Sequence, residues 1–180
     1  LGSPRETERI KTGSLALADT MAFLDERLLV TLGLRHQTIK VDGFDATTGA
    51  SSGSYDKSRV TPVGGIVFKL RPDVSVYANY IEGLAKGGSA PAVSGGQPVA
   101  NAGEVFAPYV TRQKEVGVKY DGGGIGATAA FFTTDMPSAY VVNNVYGVFG
   151  KQRNRGLEFN VFGEPAKGLR VLGGLTLLDA

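Results

Sequence analysis

A chain of 180 residues with 42% hydrophobic content, 26 glycines, no cysteine and no tryptophan has room for one domain or for part of a larger one. Its formal charge of +2, mixed along the chain, excludes a nucleic-acid surface, and without cysteine there is neither a disulfide framework nor a thiolate metal site. No apolar run reaches the roughly 18–20 residues of a membrane helix, but a transmembrane strand needs only about 9–11 residues with alternate positions apolar.

Residues 1–13, with Pro4 and a cluster of charges, read as a loop. Residues 14–23 alternate Leu15, Leu17, Met21 and Phe23 with small residues, which predicts a strand paired with its successor across the polar turn at 24–27. Leu28, Val30, Leu32 and Leu34 share one face of that successor, and Thr31, Gly33, Arg35 and Gln37 share the other. Residues 42–58 are polar and rich in Gly, Ser and Thr, and are expected to form a long loop. Strand character returns at 60–70, turns at Arg71-Pro72-Asp73, and resumes at 74–81. Residues 83–108 read as a second long loop.

The clearest hairpin follows. Gln113, Glu115, Gly117 and Lys119 share a polar face, while Val116, Val118 and Tyr120 share an apolar one. Asp121 and the triplet Gly122-Gly123-Gly124 supply the positive φ angles of a tight turn. The return strand places Ile125, Ala127, Ala129 and Phe131 on the apolar face. Residues 135–155 extend the pair outward around a turn near Asn143-Asn144. Leu157, Phe159 and Val161 then alternate with Glu158 and Asn160, residues 163–168 turn the chain, and a last strand begins at Leu169.

About eight strands result, joined by connections that alternate short and long. Turns near Asp25, Pro72, Gly123 and Pro165 are tight, and the others are expected to be extended. This asymmetry fits an all-β, antiparallel, up-and-down transmembrane barrel wall with short periplasmic turns and longer outer loops. A soluble sandwich has shorter strands, of roughly 5–6 residues. The whole of 1–180 reads as one partial β-barrel domain.

Residues 14–41, 59–84 and 112–132 (SLALADTMAFLDERLLVTLGLRHQTIKV, RVTPVGGIVFKLRPDVSVYANYIEGL and RQKEVGVKYDGGGIGATAAFF) resemble successive barrel hairpins of TonB-dependent outer-membrane receptors. Residues 151–180 (KQRNRGLEFNVFGEPAKGLRVLGGLTLLDA) are similar to the stretch that follows them, and the ferric-siderophore branch is the nearest in kind. The resemblance implies a 22-stranded barrel around an N-terminal plug domain, importing a ferric siderophore chelate with energy from the TonB–ExbB–ExbD complex. It implies outer-membrane lipid as surroundings and no nucleic-acid partner. The plug, the TonB-contacting segment and the closing aromatic strand are not among these residues, so the expectation is a middle-to-late part of a barrel wall.

The resemblance also implies roles. Glu115 and Glu158, in QKEVGVK and RGLEFN, fall where related receptors carry lumen-facing glutamates that pair with plug arginines; the alternative is a solvated lumen carboxylate. A carboxylate inside a protein-filled lumen requires a charged or hydrogen-bonding partner. For chelate contact the candidates are Tyr109, Tyr140, Tyr146 and Phe149 with Arg112 and Arg153, near the outer ends of the hairpins. Each aromatic has a second reading as an interfacial anchor. Iron would arrive already chelated, so no metal ligands and no cofactor are expected.

Other patterns carry less. Residues 124–129 fit G-x-G-x-x-A, but that fingerprint requires a helix after the glycines where the alternation here reads strand. His36, the only histidine, lies on the side of Leu32 and Leu34, and no nucleophile–base set can be built around it. The chain is therefore not expected to be an enzyme. Asp42 and Asp45 lack the spacing of a calcium loop. The competing classes are a passive porin-like channel, a soluble β-rich ligand-binding module and an outer-membrane enzyme. The module is opposed by the apolar outer face running from Leu28 to Val118.

Overall fold

The structure, a computed structural model, describes residues 5–179. In chain order its strands are β1 (Glu8–Phe23), β2 (Leu28–Phe44), β3 (Ser51–Arg71), β4 (Val74–Ala85), β5 (Val93–Ser94), β6 (Gln97–Pro98), β7 (Tyr109–Asp121), β8 (Ile125–Val142), β9 (Val145–Ala166) and β10 (Leu169–Asp179). Eight of them form one sheet in the order β1-β2-β3-β4-β7-β8-β9-β10, every neighbour antiparallel, while β5 and β6 make a separate small hairpin. The meander is the up-and-down arrangement expected from the alternation. It does not close on itself, because β1 and β10 each pair along one side only among the described residues.

One end of the sheet carries only tight turns, at residues 24–27, 72–73, 122–124 and 167–168. Gly123 (φ +79°) and Gly168 (φ +83°) take the left-handed conformation that a Cβ disfavours. The opposite end carries the connections 45–50, 86–108 and 143–144. Asn143 and Asn144 both have positive φ, as a two-residue hairpin turn requires.

Two predicted loops are mostly strand. β1 begins at Glu8, inside the loop read over residues 1–13; residues 1–4 of that loop lie outside the described residues. β2 and β3 stay paired from Leu28↔Phe68 to Phe44↔Ser51, so the loop read over 42–58 shrinks to residues 45–50. Ladder hydrogen bonds do not depend on which side chains flank them. Alternation therefore marks where one face meets an apolar medium, and it fades where both faces meet water although the strand continues. The expected short–long alternation of connections thus becomes long strand extensions, with 86–108 as the one long irregular connection.

Exposure confirms the assignment of faces. Along β7, Arg112, Lys114, Val116 and Val118 are exposed, while Gln113, Glu115 and Gly117 are half-buried. On β1, Leu15 and Leu17 are 78% and 83% exposed. Apolar residues are more accessible than their polar neighbours, the reverse of a soluble protein. The buried apolar cluster is small: Ile39, Val41 and Tyr55, on the polar-face side near the long-connection end. There Gly87 N–H donates to Tyr55 Oη at 3.2 Å, tying residues 86–108 to the sheet.

Candidate functional site

Antiparallel register puts directly opposed residues on one face, so the polar face can be read as rows. One row runs Asn79–Glu115–Phe132–Gly156, and the next toward the tight-turn end runs Tyr77–Gly117–Ala130–Glu158–Thr176. Glu115 and Glu158 therefore share a face on strands β7 and β9, with β8 between them. Strand spacing and rise put their backbones on the order of 12 Å apart.

Each glutamate is held by neutral donors. Tyr77 Oη donates to Glu115 Oε1 at 2.7 Å, and Gln113 Nε2 approaches Oε2 at 3.4 Å. Asn160 Nδ2 donates to Glu158 Oε1 at 2.8 Å and reaches Thr128 Oγ1 at 3.3 Å. Neither carboxylate has an ion-pair partner among the described residues, so both remain half-buried anions with acceptor capacity to spare. Tyr77 reaches Glu115 because it lies flat over Gly117, where a Cβ would sit 2.8 Å from the ring. The same ring receives Lys119 Nζ at 5.9 Å from its centroid. Tyr77 and Gly117 were not singled out from sequence; opposed aromatic and glycine positions on the polar face were the available signal.

At the long-connection end, Tyr109 and Tyr146 come together, their hydroxyls converging on Gly88. Phe106 meets Tyr146 edge to face at 5.3 Å. Asn101 fixes this layer: its Nδ2 donates to Tyr146 C=O and its Oδ1 accepts from Tyr146 N–H, both at 2.9 Å. Tyr140 and Phe149 form a second edge-to-face pair at 5.9 Å, beside the register shift between Ser138 and Ala139. Both are nearly half exposed.

Arg112 and Arg153 sit elsewhere. They occupy the face of Val116 and Phe131, in the row Glu82–Arg112–Asp135–Arg153. Arg112 Nε pairs with Glu82 Oε1 at 3.2 Å, and Arg153 grips both oxygens of Asp135 at 2.5 and 3.0 Å. The Arg153 guanidinium, with Lys151, holds the Asp135 carboxyl down at about 2. The structure therefore groups the four aromatics into two clusters at one end of the sheet and places the two arginines on the face of Val116 and Phe131.

The dinucleotide reading ends here, since residues 125–142 are strand. His36 stands opposite Leu15 and Val60 on the apolar face. Asp45 accepts from Thr47 N–H (2.9 Å), Thr48 N–H (2.6 Å) and Thr48 Oγ1 (2.9 Å), with the Thr48 backbone bond lowering its pKa first. Its oxygens close a turn, and no metal-holding group of His, Asp or Glu occurs among the described residues.

An inside-out antiparallel wall with an apolar band, tight turns at one end and half-buried acids on its other face defines a transmembrane β-barrel protein. Residues 2–180 match the family model of TonB dependent receptor-like β-barrels, and the chain belongs to that family. It is 43% identical over 178 residues to the ferrichrome receptor FcuA of Yersinia enterocolitica, covering 98% of this chain and 24% of that protein. The crystal structure of BauA, the ferric preacinetobactin receptor of Acinetobacter baumannii, superposes with a TM-score of 0.74 at 40% identity, covering 96% of this chain and 25% of the other. The ferric-catecholate import receptor Fiu from E. coli K12 superposes at 0.69 with 22% identity over 95% of this chain and 28% of its own, and bears on the fold alone. The chain thus spans about a quarter of the length of these relatives. They are receptors rather than enzymes, and the family places this wall in the bacterial outer membrane.

Proposed function

We propose that this chain is wall of a ferric-siderophore receptor, with its polar face lining the lumen and its tight-turn end at the periplasm. The observation that carries this reading is the pair Glu115 and Glu158: two half-buried carboxylates on one face, each hydrogen-bonded by neutral donors and neither ion-paired among the described residues. A carboxylate so placed attracts a cation from whatever fills the lumen. The plug domain of the whole receptor supplies that partner through arginines, so the role of the pair is docking rather than catalysis. TonB, with ExbB and ExbD, acts on the whole receptor through that plug.

Chelate capture falls to Tyr109, Tyr140, Tyr146 and Phe149, whose two clusters stand at the end farthest from the tight turns. Arg112 and Arg153 serve instead in separate ion pairs, one tying β4 to β7 and the other tying β8 to β9. The iron enters as part of its substrate, and the wall supplies neither metal ligands nor a cofactor.

Uptake tests the reading. The full-length receptor is expressed in cells lacking other siderophore receptors and offered radiolabelled iron as ferrichrome, preacinetobactin or a catecholate. TonB-dependent accumulation with at least one chelate is expected; accumulation of none, or diffusion without TonB, contradicts it. Orientation is read separately by single-cysteine labelling, with Val93→Cys reactive on intact cells and Lys167→Cys reactive only after permeabilisation.

A further inference from the structure

Beyond the apolar band, the two faces of the β2–β3 hairpin carry charge differently. On the face of Leu32 and Leu34 the charges are mixed, with Lys40 opposite Asp56 at 4.0 Å and Asp42 two residues on. On the polar face the register brings together Arg35, Lys57 and Arg59, interleaved with Gln37 and Ile39 rather than with acids. Arg59 stands opposite Gln37 and Lys57 opposite Ile39. Arg35 is therefore diagonal to Arg59, roughly 7–8 Å away, and Lys57 follows about 7 Å further along β3. Arg35 is half-buried, while Lys57 and Arg59 are exposed. None of the three makes an ion pair among the described residues. On the same face of β1, Glu8 is taken by Lys86 at 3.6 Å.

Three neighbouring like charges repel one another, and a half-buried guanidinium without a counter-ion is unfavourable, so the cluster complements an anion. It lies toward the long-connection end, beside the Ile39–Val41–Tyr55 cluster that ties down residues 86–108. Gln37 stiffens its middle, donating from Nε2 to Thr61 Oγ1 at 2.8 Å and to Glu82 C=O at 3.3 Å. We propose that Arg35, Lys57 and Arg59 form a subsite for a ferric chelate of net negative charge, so that this wall selects anionic over neutral siderophores. The charge of a chelate follows from its donors. Three singly charged hydroxamates neutralise a ferric ion, whereas three doubly charged catecholates, or added free carboxylates, leave the complex negative. The two guanidinium forks match carboxylate or catecholate oxygens, and Lys57 adds a point charge. A lipid headgroup does not fit, because all three residues face away from Leu32 and Leu34. This inference rests on the siderophore-receptor reading above and names the charge class that reading leaves open.

The test uses the full-length receptor in non-ionic detergent, with chelate binding measured by filtration of radiolabelled iron. Ferric enterobactin and ferric citrate are the anionic probes, and ferrichrome is the neutral trihydroxamate. At least one anionic probe is expected to bind more tightly than ferrichrome, and to weaken about tenfold or more in the triple variant Arg35→Gln, Lys57→Gln, Arg59→Gln. Ferrichrome binding should not respond to that variant. Lys40→Gln, a charge loss on the other face of the same hairpin, should leave anionic binding unchanged. Ferrichrome bound as tightly as both anionic probes overturns the proposal while the receptor reading stands. Wild-type anionic binding in the triple variant does the same. Binding of no probe, with no chelate accumulated by cells, overturns the receptor reading and the subsite together. Heat-modifiable gel mobility reports folding; if the triple variant fails it, the exposed pair Lys57→Gln, Arg59→Gln carries the comparison.

Discussion

Tyr77 and Glu115, 38 positions apart in the chain, are joined by a 2.7 Å hydrogen bond across the polar face of β4 and β7. The tyrosine ring reaches the glutamate only because Gly117, its register partner, leaves the surface beneath it bare. The Glu115 carboxylate is thereby held in a fixed orientation by a neutral donor.

Gly117→Ala tests that geometry. A methyl group there would lie 2.7 Å from Ala129 C=O and 2.8 Å from the Tyr77 ring, so ring and carboxylate must both shift. Overpacking of this kind costs about 1–3 kcal/mol. Urea unfolding of the refolded full-length barrel should show that loss, whereas Tyr77→Phe, which removes one hydroxyl, should cost about 0.5–1.5 kcal/mol.

Asp135 gives a pH signature outside the apolar band. Its carboxyl is depressed to about 2, first by the hydrogen bond from Arg153, so its contribution is complete above the ordinary carboxylate value of 3.8 and is lost as pH falls toward 2. Comparing unfolding midpoints of wild type and Asp135→Asn should give a constant difference from pH 7 to about 5 that shrinks through pH 3. A difference that already disappears at pH 5 contradicts the pairing.

Asn101 anchors the long connection through two bonds to the Tyr146 backbone and one to Glu104 at 2.7 Å. Asn101→Ala should loosen residues 86–108 without unfolding the sheet. Limited trypsin digestion of the receptor in outer-membrane vesicles should then cut faster after Lys86, while heat-modifiable mobility is retained. Equal cleavage in both proteins would show that the aromatic packing of Phe106 on Tyr146 suffices.

The sheet and its faces were legible in the sequence because lipid imposes a period of two. Leu28 to Leu34 and Val116 to Tyr120 announce it directly, and Asn143-Asn144 announces its turn. What stayed hidden was strand beyond the bilayer. Residues 42–58 look like loop since neither face there needs apolar side chains, yet β2 and β3 remain paired through them. The same blindness affected the arginines: position near a hairpin's outer end suggested ligand contact for Arg112 and Arg153, but register parity with Val116 and Phe131 sends them to the other face. Counting by two from Val116 contains that answer. The contact between Tyr77 and Glu115 does not follow from either strand alone, because it depends on which residue of β4 opposes Gly117.

The docking role of Glu115 and Glu158 is tested most directly by reversing both charges. The full-length receptor carrying Glu115→Arg and Glu158→Arg should fold, lose grip on its plug, show increased conductance in planar bilayers and import its ferric chelate poorly. Conductance and uptake equal to wild type, in a barrel of normal heat-modifiable mobility, would contradict the account.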